Sequence, residues 1–273
     1  MVKIATSAKG LWQGVEAADS TSSTARRDNA ARKPLLNYYF DPLCGWCYAA
    51  APLIHAAAEC NELAIQLHAG GMMSGDNRQT VTPALRNYVM PHDQRIAALT
   101  GQPFGDGYFN GLLLDESAVF DSTPPTLAIL AAAGMDWNVG GDEGIGQRGL
   151  AMLARIQHAH YAEGQRIADG TVLLSLAVEL GFESAAFAQA MTEQAAKVDA
   201  HFTATRTAMN RQQLRGFPSL VLENQGVQQV IDISPYLGKP AEFVQFIRSQ
   251  LTQASANAAT EGAAFCTPEG CTV

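Results

Sequence analysis

The run Leu35-Leu-Asn-Tyr-Tyr-Phe40 is apolar and aromatic and is closed by Asp41-Pro42, the pattern of a short buried strand. From Cys47 to Cys60 the chain is mostly Ala, Leu and Ile, with Tyr48 and His55, and is too long for a strand. It predicts a helix that Pro52 bends about one turn in. Leu63-Ala-Ile-Gln-Leu-His68 alternates and stops at Gly70-Gly71, which predicts a second strand. Strand, helix, strand is the βαβ unit, for which right-handed parallel pairing is strongly favoured.

From about Gln79 to Arg215 strand signals stop and helical patterns follow one another. Thr123-Pro124-Pro125 opens one helix, and another runs from about Glu143 to Ala162. A third begins after Asp169, with Val172, Leu173, Leu176, Ala177 and Leu180 on one face and Gly181 as its stop. Strand character returns at Ser219-Leu-Val-Leu-Glu223, and Asn224-Gln-Gly226 turns it into a partner strand over Val227–Ile233. Pro240 starts a helix with Phe243, Val244, Ile247 and Leu251 at helical spacing. Gln253 to Ala264 is small and polar and reads as a flexible linker.

The expected fold class is therefore α/β, a sheet built from both ends of the chain with a large all-helical insertion between. The expected divisions are a flexible arm over 1–33, a discontinuous sheet domain over 34–75 and 213–253, a helical insertion over 76–212, and a flexible tail over 254–273 carrying a C-x4-C pair. The first 33 residues lack the apolar segment of an export signal. Arg26-Arg27 is not followed by the apolar run of a twin-arginine leader, so the cytoplasm is the default expectation.

The chain has 273 residues, 47% hydrophobic and 16% charged, the composition of a folded globular protein. Its net charge of −8 offers no basic footprint, so nucleic acid is not an expected partner. No apolar run reaches the roughly 18 residues of a spanning helix, so no membrane partner is expected. Five cysteines are too few for a disulfide scaffold at this length, and four of them fall in two close pairs.

Cys44-Gly45-Trp46-Cys47 lies where a strand ends and a helix begins. Unpaired N–H groups and the helix dipole favour an anionic sulfur there, which makes Cys44 the nucleophile. Cys47, one turn further in, is the resolving thiol that breaks the mixed disulfide. A structural zinc pair and two core cysteines are the rival readings; the strand-to-helix setting favours redox chemistry. Trp46, inside so short a loop, packs at the surface or touches bound peptide.

Phe40-Asp-Pro-Leu-Cys-Gly-Trp-Cys-Tyr48, with Pro52 and Gly216-Phe217-Pro218-Ser219, resembles the thioredoxin superfamily, and the helical insertion narrows this to its DsbA-like family. The same signature, with His160-Tyr-Ala-Glu-Gly-Gln-Arg-Ile-Ala-Asp169, resembles the cytosolic FrnE-like group of protein-disulfide isomerases and oxidoreductases. The resemblance covers roughly Leu35 to Leu251 and implies a thioredoxin-like fold and a thiol–disulfide oxidoreductase or isomerase. It also implies a cis bond before Pro218, and a peptide groove shaped by Gly45, Trp46, Phe217 and Pro218. Implied partners are protein or peptide thiols and disulfides, with glutathione or a thioredoxin-type reductant. No cofactor and no metal is expected. The chain departs from the family at Phe217, where Thr or Val is usual, and at Tyr38, where an acid commonly accepts the buried thiol's proton.

Cys266-Thr-Pro-Glu-Gly-Cys271 is a second pair whose Pro268 and Gly270 supply a turn. A linker of about a dozen residues would span near 20 Å as a coil and near 40 Å extended, enough to approach Cys44. The pair is read as a relay exchanging with the CGWC disulfide in the same or a neighbouring subunit. A static terminal disulfide and a metal pair are the alternatives. Two other classes stay open: a glutathione-dependent isomerase or transferase of this fold, and a peptide-binding chaperone module. Cys60 is expected to be a small core residue, and no histidine pattern marks a metal site.

Overall fold

The computed structural model describes residues 33–135, 147–262, 266–267 and 270–271. Strand β1 (Leu35–Phe40) leads to helix α1 (Gly45–Ala58) and strand β2 (Ala64–Ala69). β1 pairs with β2 in parallel, Leu35 opposite Ala64 and Phe40 opposite Ala69, which is the βαβ unit expected. Strands β5 (Ser219–Asn224) and β6 (Val227–Ile231) form the hairpin. β5 lies antiparallel on the other side of β1, giving the order β2-β1-β5-β6. β1 is covered on both faces, as apolar and aromatic residues on both of its sides require, with Asn37 the one polar member. Leu36, Tyr38 and Phe40 join the main core with α1, while Tyr39 packs with Met209 and Val221 on the opposite face.

The insertion is mostly helical. It contains α2 (Pro83–Thr100), α3 (Thr123–Met135), α4 (Gln147–Tyr161), α5 (Gly170–Glu179), α6 (Ser184–Ala195) and α7 (Val198–Arg211). Their ends follow capping chemistry. Thr82 accepts the Leu85 N–H at 3.1 Å ahead of Pro83, and the Glu183 carboxylate accepts the N–H groups of Ala185 and Ala186. The strand-free expectation over 79–215 is corrected by two short strands, β3 (Gln79–Thr80) and β4 (Val119–Phe120), paired antiparallel. Two residues are too few to show an alternation, so this ladder leaves no periodic trace. α7 lies along the free edge of β2, where His201 Nε2 accepts the Ala69 N–H at 3.1 Å.

The flexible linker expected over 253–264 is also corrected. Helix α8 begins at Pro240 as read, but its backbone stays helical to Gly262. Alanine-rich segments of small residues look like linkers by composition and are good helix formers by propensity. β6 runs parallel to β1, so α8 starts at the Cys44 end of the sheet. Arg248 meets Glu62 at 3.2 Å, just before β2 and thus at the opposite end. From Arg248 the helix continues about 21 Å in that direction at about 1.5 Å per residue. The four steps from Gly262 to Cys266 span about 14 Å at most, less than the helical stretch that leads away from Arg248. In the backbone, β7 (Cys266–Thr267) pairs antiparallel with β8 (Gly270–Cys271), Cys266 directly opposite Cys271. The N-terminal arm, Lys33 apart, lies outside the described residues, as do 136–146, where the helix expected from Glu143 would begin.

Candidate active site

The turn after β1 delivers Cys44 as the N-cap of α1, with extended dihedrals of φ −91° and ψ 112°. Its carbonyl accepts the N–H groups of Cys47 at 2.9 Å and Tyr48 at 3.2 Å, closing the first turn of the helix. Both cysteines are buried, Cys47 completely and Cys44 with 8% exposure, so what little access the pair has belongs to Cys44. Both are free thiols. The Cys44 Sγ donates to the carbonyl of Phe217 at 3.5 Å, and the Phe217–Pro218 bond is cis, as the resemblance implied. The Phe217 ring rests on Gly70, where a Cβ would come within 1.9 Å of the ring's Cζ; this closeness calls for glycine just after β2. Trp46 is partly buried on the lip, with the Arg95 guanidinium 5.8 Å over its ring.

Burial pushes the Cys47 thiol well up, reinforced by its hydrogen bond to Cys44 and by the charge of that neighbour, while the Asp41 backbone N–H pulls it down. The Tyr38 hydroxyl, standing where an acid was missing, donates to the Cys47 carbonyl at 3.2 Å. Burial, then the charges of Cys47 and Cys44, hold that hydroxyl well above the usual phenol range.

Two buried acids went unread in the sequence. Asp41 is fully buried and ties three elements together. Its carboxylate accepts the Leu43 N–H at 2.9 Å in the cysteine loop, the Met72 N–H at 2.5 Å after β2, and the Ser122 hydroxyl at 2.9 Å before α3. Burial raises its pKa to about 6 against these hydrogen bonds and the charge of Arg206. Asp93 of α2 sits against the redox loop: a Cβ on Gly45 would come within 2.7 Å of its Oδ1. Its Oδ2 accepts the Tyr108 hydroxyl at 2.8 Å, and burial raises its pKa to about 7. In the sequence Asp41-Pro42 carries only the signal of a strand terminator. Asp93 lies in register with the buried Leu85 and Ile96, and an acid at a core position of an amphipathic helix was the signal available.

Both acids have folded pKa values above the unfolded value near 4, so protonation favours the folded state. Their contribution is fully present below about pH 4 and is lost as pH rises through about 6 for Asp41 and about 7 for Asp93. Asp93→Asn keeps an acceptor for Tyr108 and cannot ionise. Its stability relative to wild type should therefore climb by on the order of 2–4 kcal/mol between pH 4 and pH 8. Urea midpoints across that range check this; a constant difference would show that Asp93 titrates normally.

No group of metal ligands occurs among the described residues, and none of their helices is long and apolar enough to cross a membrane. The cysteine pair at a helix head, a cis-proline loop against it and an interposed helical block define a class. The model of the DSBA-like thioredoxin domain matches residues 35–236, and the chain belongs to that family. Among solved structures it is similar to the cytosolic disulfide reductase DsbM of Pseudomonas aeruginosa, at 51% identity over 80% of this chain and 99% of that one, with a TM-score of 0.72. The same protein with GSH matches at 50% identity, the same coverage and a TM-score of 0.70. A candidate protein disulfide isomerase from Nitrosomonas europaea matches at 25% identity over 81% of this chain and 99% of that one, with a TM-score of 0.65. A comparison with curated proteins found no match.

Proposed function

We propose that this chain is a cytosolic thiol–disulfide oxidoreductase that works chiefly as a reductase through Cys44 and Cys47, with glutathione as the returning reductant. The observation that carries the reading is the contrast within the pair: Cys44 slightly accessible at the head of α1 and bonded to the Phe217 carbonyl of the cis-proline loop, and Cys47 wholly buried behind it. Cys44 attacks a client disulfide, forming a Cys44–client disulfide and releasing the client's other sulfur as a thiol. Cys47 gives up its proton and attacks Cys44 Sγ, closing the Cys44–Cys47 disulfide and releasing the second client thiol. Two electrons have passed to the client. Two glutathione molecules restore the dithiol, the first forming a mixed disulfide and the second leaving with it as oxidised glutathione. Gly45 and Trp46 form the loop, and Phe217 with Pro218 lines the groove for the client. The similarity to a cytosolic disulfide reductase also seen with glutathione supports direction, compartment and reductant together. The second cysteine favours this chemistry over a glutathione isomerase or a chaperone module.

The tail pair enters as a second exchange site. The course of α8 away from the Cys44 end favours exchange with Cys44 of a neighbouring molecule, and the opposed positions of Cys266 and Cys271 suit a reversible disulfide between them.

One trap tests both readings. Cys47→Ser leaves the mixed disulfide on Cys44 unresolved, so treatment with oxidised glutathione should yield a stable one-glutathione adduct that peptide mapping places on Cys44. Mixed with oxidised wild-type chain, it should also yield a Cys44–Cys266 or Cys44–Cys271 crosslink. No adduct on Cys44 would defeat the oxidoreductase reading; adducts with glutathione alone would remove the tail from it.

A further inference from the structure

We propose that Arg206 makes the groove beside Cys44 an anion-binding subsite, so that the preferred thiols and disulfides carry a carboxylate or sulfonate near the reacting sulfur. The inference rests on the exchange chemistry proposed above and names the class of substrate it selects. Contacts lead from the sulfur to the guanidinium in three steps. Cys44 Sγ bonds the Phe217 carbonyl, the Phe217 ring rests on Gly70, and the Arg206 Nε donates to the Gly70 carbonyl at 3.1 Å. Nη2 donates to the Gly71 carbonyl at 2.7 Å. Two carbonyls therefore fix the plane of the guanidinium without neutralising it, and its remaining N–H groups sit on an exposed residue. Two other arginines of the insertion are ion-paired, Arg155 with Glu163 and Glu179, and Arg166 with Asp115, while Arg95 lies over the Trp46 ring on the lip. Arg206 has no carboxylate within ion-pair distance among the described residues. Asp41, whose charge it feels, is fully buried and engaged by three other donors.

An arginine held by backbone carbonyls is preorganised for a planar anion, because the ordering of its long side chain has already been met on folding. A peptide residue spans roughly 3.3–3.6 Å, so the carboxylates of a tripeptide thiol fall within reach of a cation a few contacts from the sulfur. The sign of the preference is diagnostic. With a net charge of −8, the field of the whole chain favours cationic thiols, and only a local cation at the groove reverses that order.

The test is a charge series of small thiols reducing the Cys44–Cys47 disulfide of the full chain: 2-mercaptoethanol, 2-mercaptoethanesulfonate and cysteamine. Each rate is expressed per thiolate and normalised to the same thiol's attack on a neutral small disulfide. The normalised ratio of the sulfonate to cysteamine should be about tenfold or more in wild type at low salt, and should fall to within about twofold in Arg206→Gln. Arg206→Lys should retain part of it. Raising salt from roughly 20 mM to roughly 0.5 M should compress the wild-type ratio, a readout that needs no variant to fold. A wild-type ratio at or below one, one indifferent to salt, or one that survives Arg206→Gln overturns the subsite while leaving the exchange chemistry standing. Failure of even 2-mercaptoethanol to reduce the pair would instead take down the oxidoreductase reading, and the subsite with it.

Discussion

Cys44→Ser should bring the reduction of insulin by dithiothreitol down to the rate of dithiothreitol alone. A hydroxyl at this position cannot form the mixed disulfide, and Cys47 cannot stand in, because its sulfur is fully buried and burial holds its proton on. Cys60 supplies the control. It is buried near the end of α1, its Sγ approaching the Ala56 carbonyl at 3.9 Å, and Cys60→Ser should turn over insulin at a rate close to wild type. The precipitation assay reads both directly. Turnover by Cys44→Ser above about a tenth of wild type would place the nucleophile elsewhere. Equal loss in Cys60→Ser would mean that folding, not chemistry, had been measured.

The second large effect is expected at a residue that never meets the client. Asp41→Ala removes the shared acceptor of the Leu43 N–H, the Met72 N–H and the Ser122 hydroxyl, in a place water does not reach. Leaving one buried donor without a partner costs about 1–3 kcal/mol, so three together should destabilise the chain by about 3–5 kcal/mol near pH 4 after local relaxation, and by less at pH 8, where the ionised carboxylate already weakens wild type. Asp41→Asn, which keeps one acceptor oxygen, should fall between. Urea unfolding monitored by circular dichroism gives the comparison, and a shift below about 1 kcal/mol would show that the three donors find other partners. Activity should fall with stability, since the same carboxylate holds the cysteine loop against the insertion.

Much of this was open to a reader of the sequence because it is local. The βαβ unit, the hairpin at Asn224-Gln-Gly226 and the helix starts at Pro124 and Pro240 are each written in a few neighbouring residues whose periodicity or turn chemistry has one good solution. Cys44 and Cys47 share that property, being four positions in one turn. What escaped was assembled across distance. Asp41 acquires its meaning from Met72 and Ser122, Asp93 from Gly45 and Tyr108, and Arg206 from two carbonyls at the end of β2. None of those pairings leaves a spacing in the sequence. The tail shows a different failure: alanine-rich polar sequence supports both linker and helix, and composition alone does not choose between them.

α7 closes one flank of the sheet. His201 takes up the Ala69 N–H, and Arg206 takes up the Gly70 and Gly71 carbonyls that follow it, so the Cys44 end of the β2 margin has little left to offer a foreign backbone. An extended backbone approaching there therefore finds no template at that corner along which to zip.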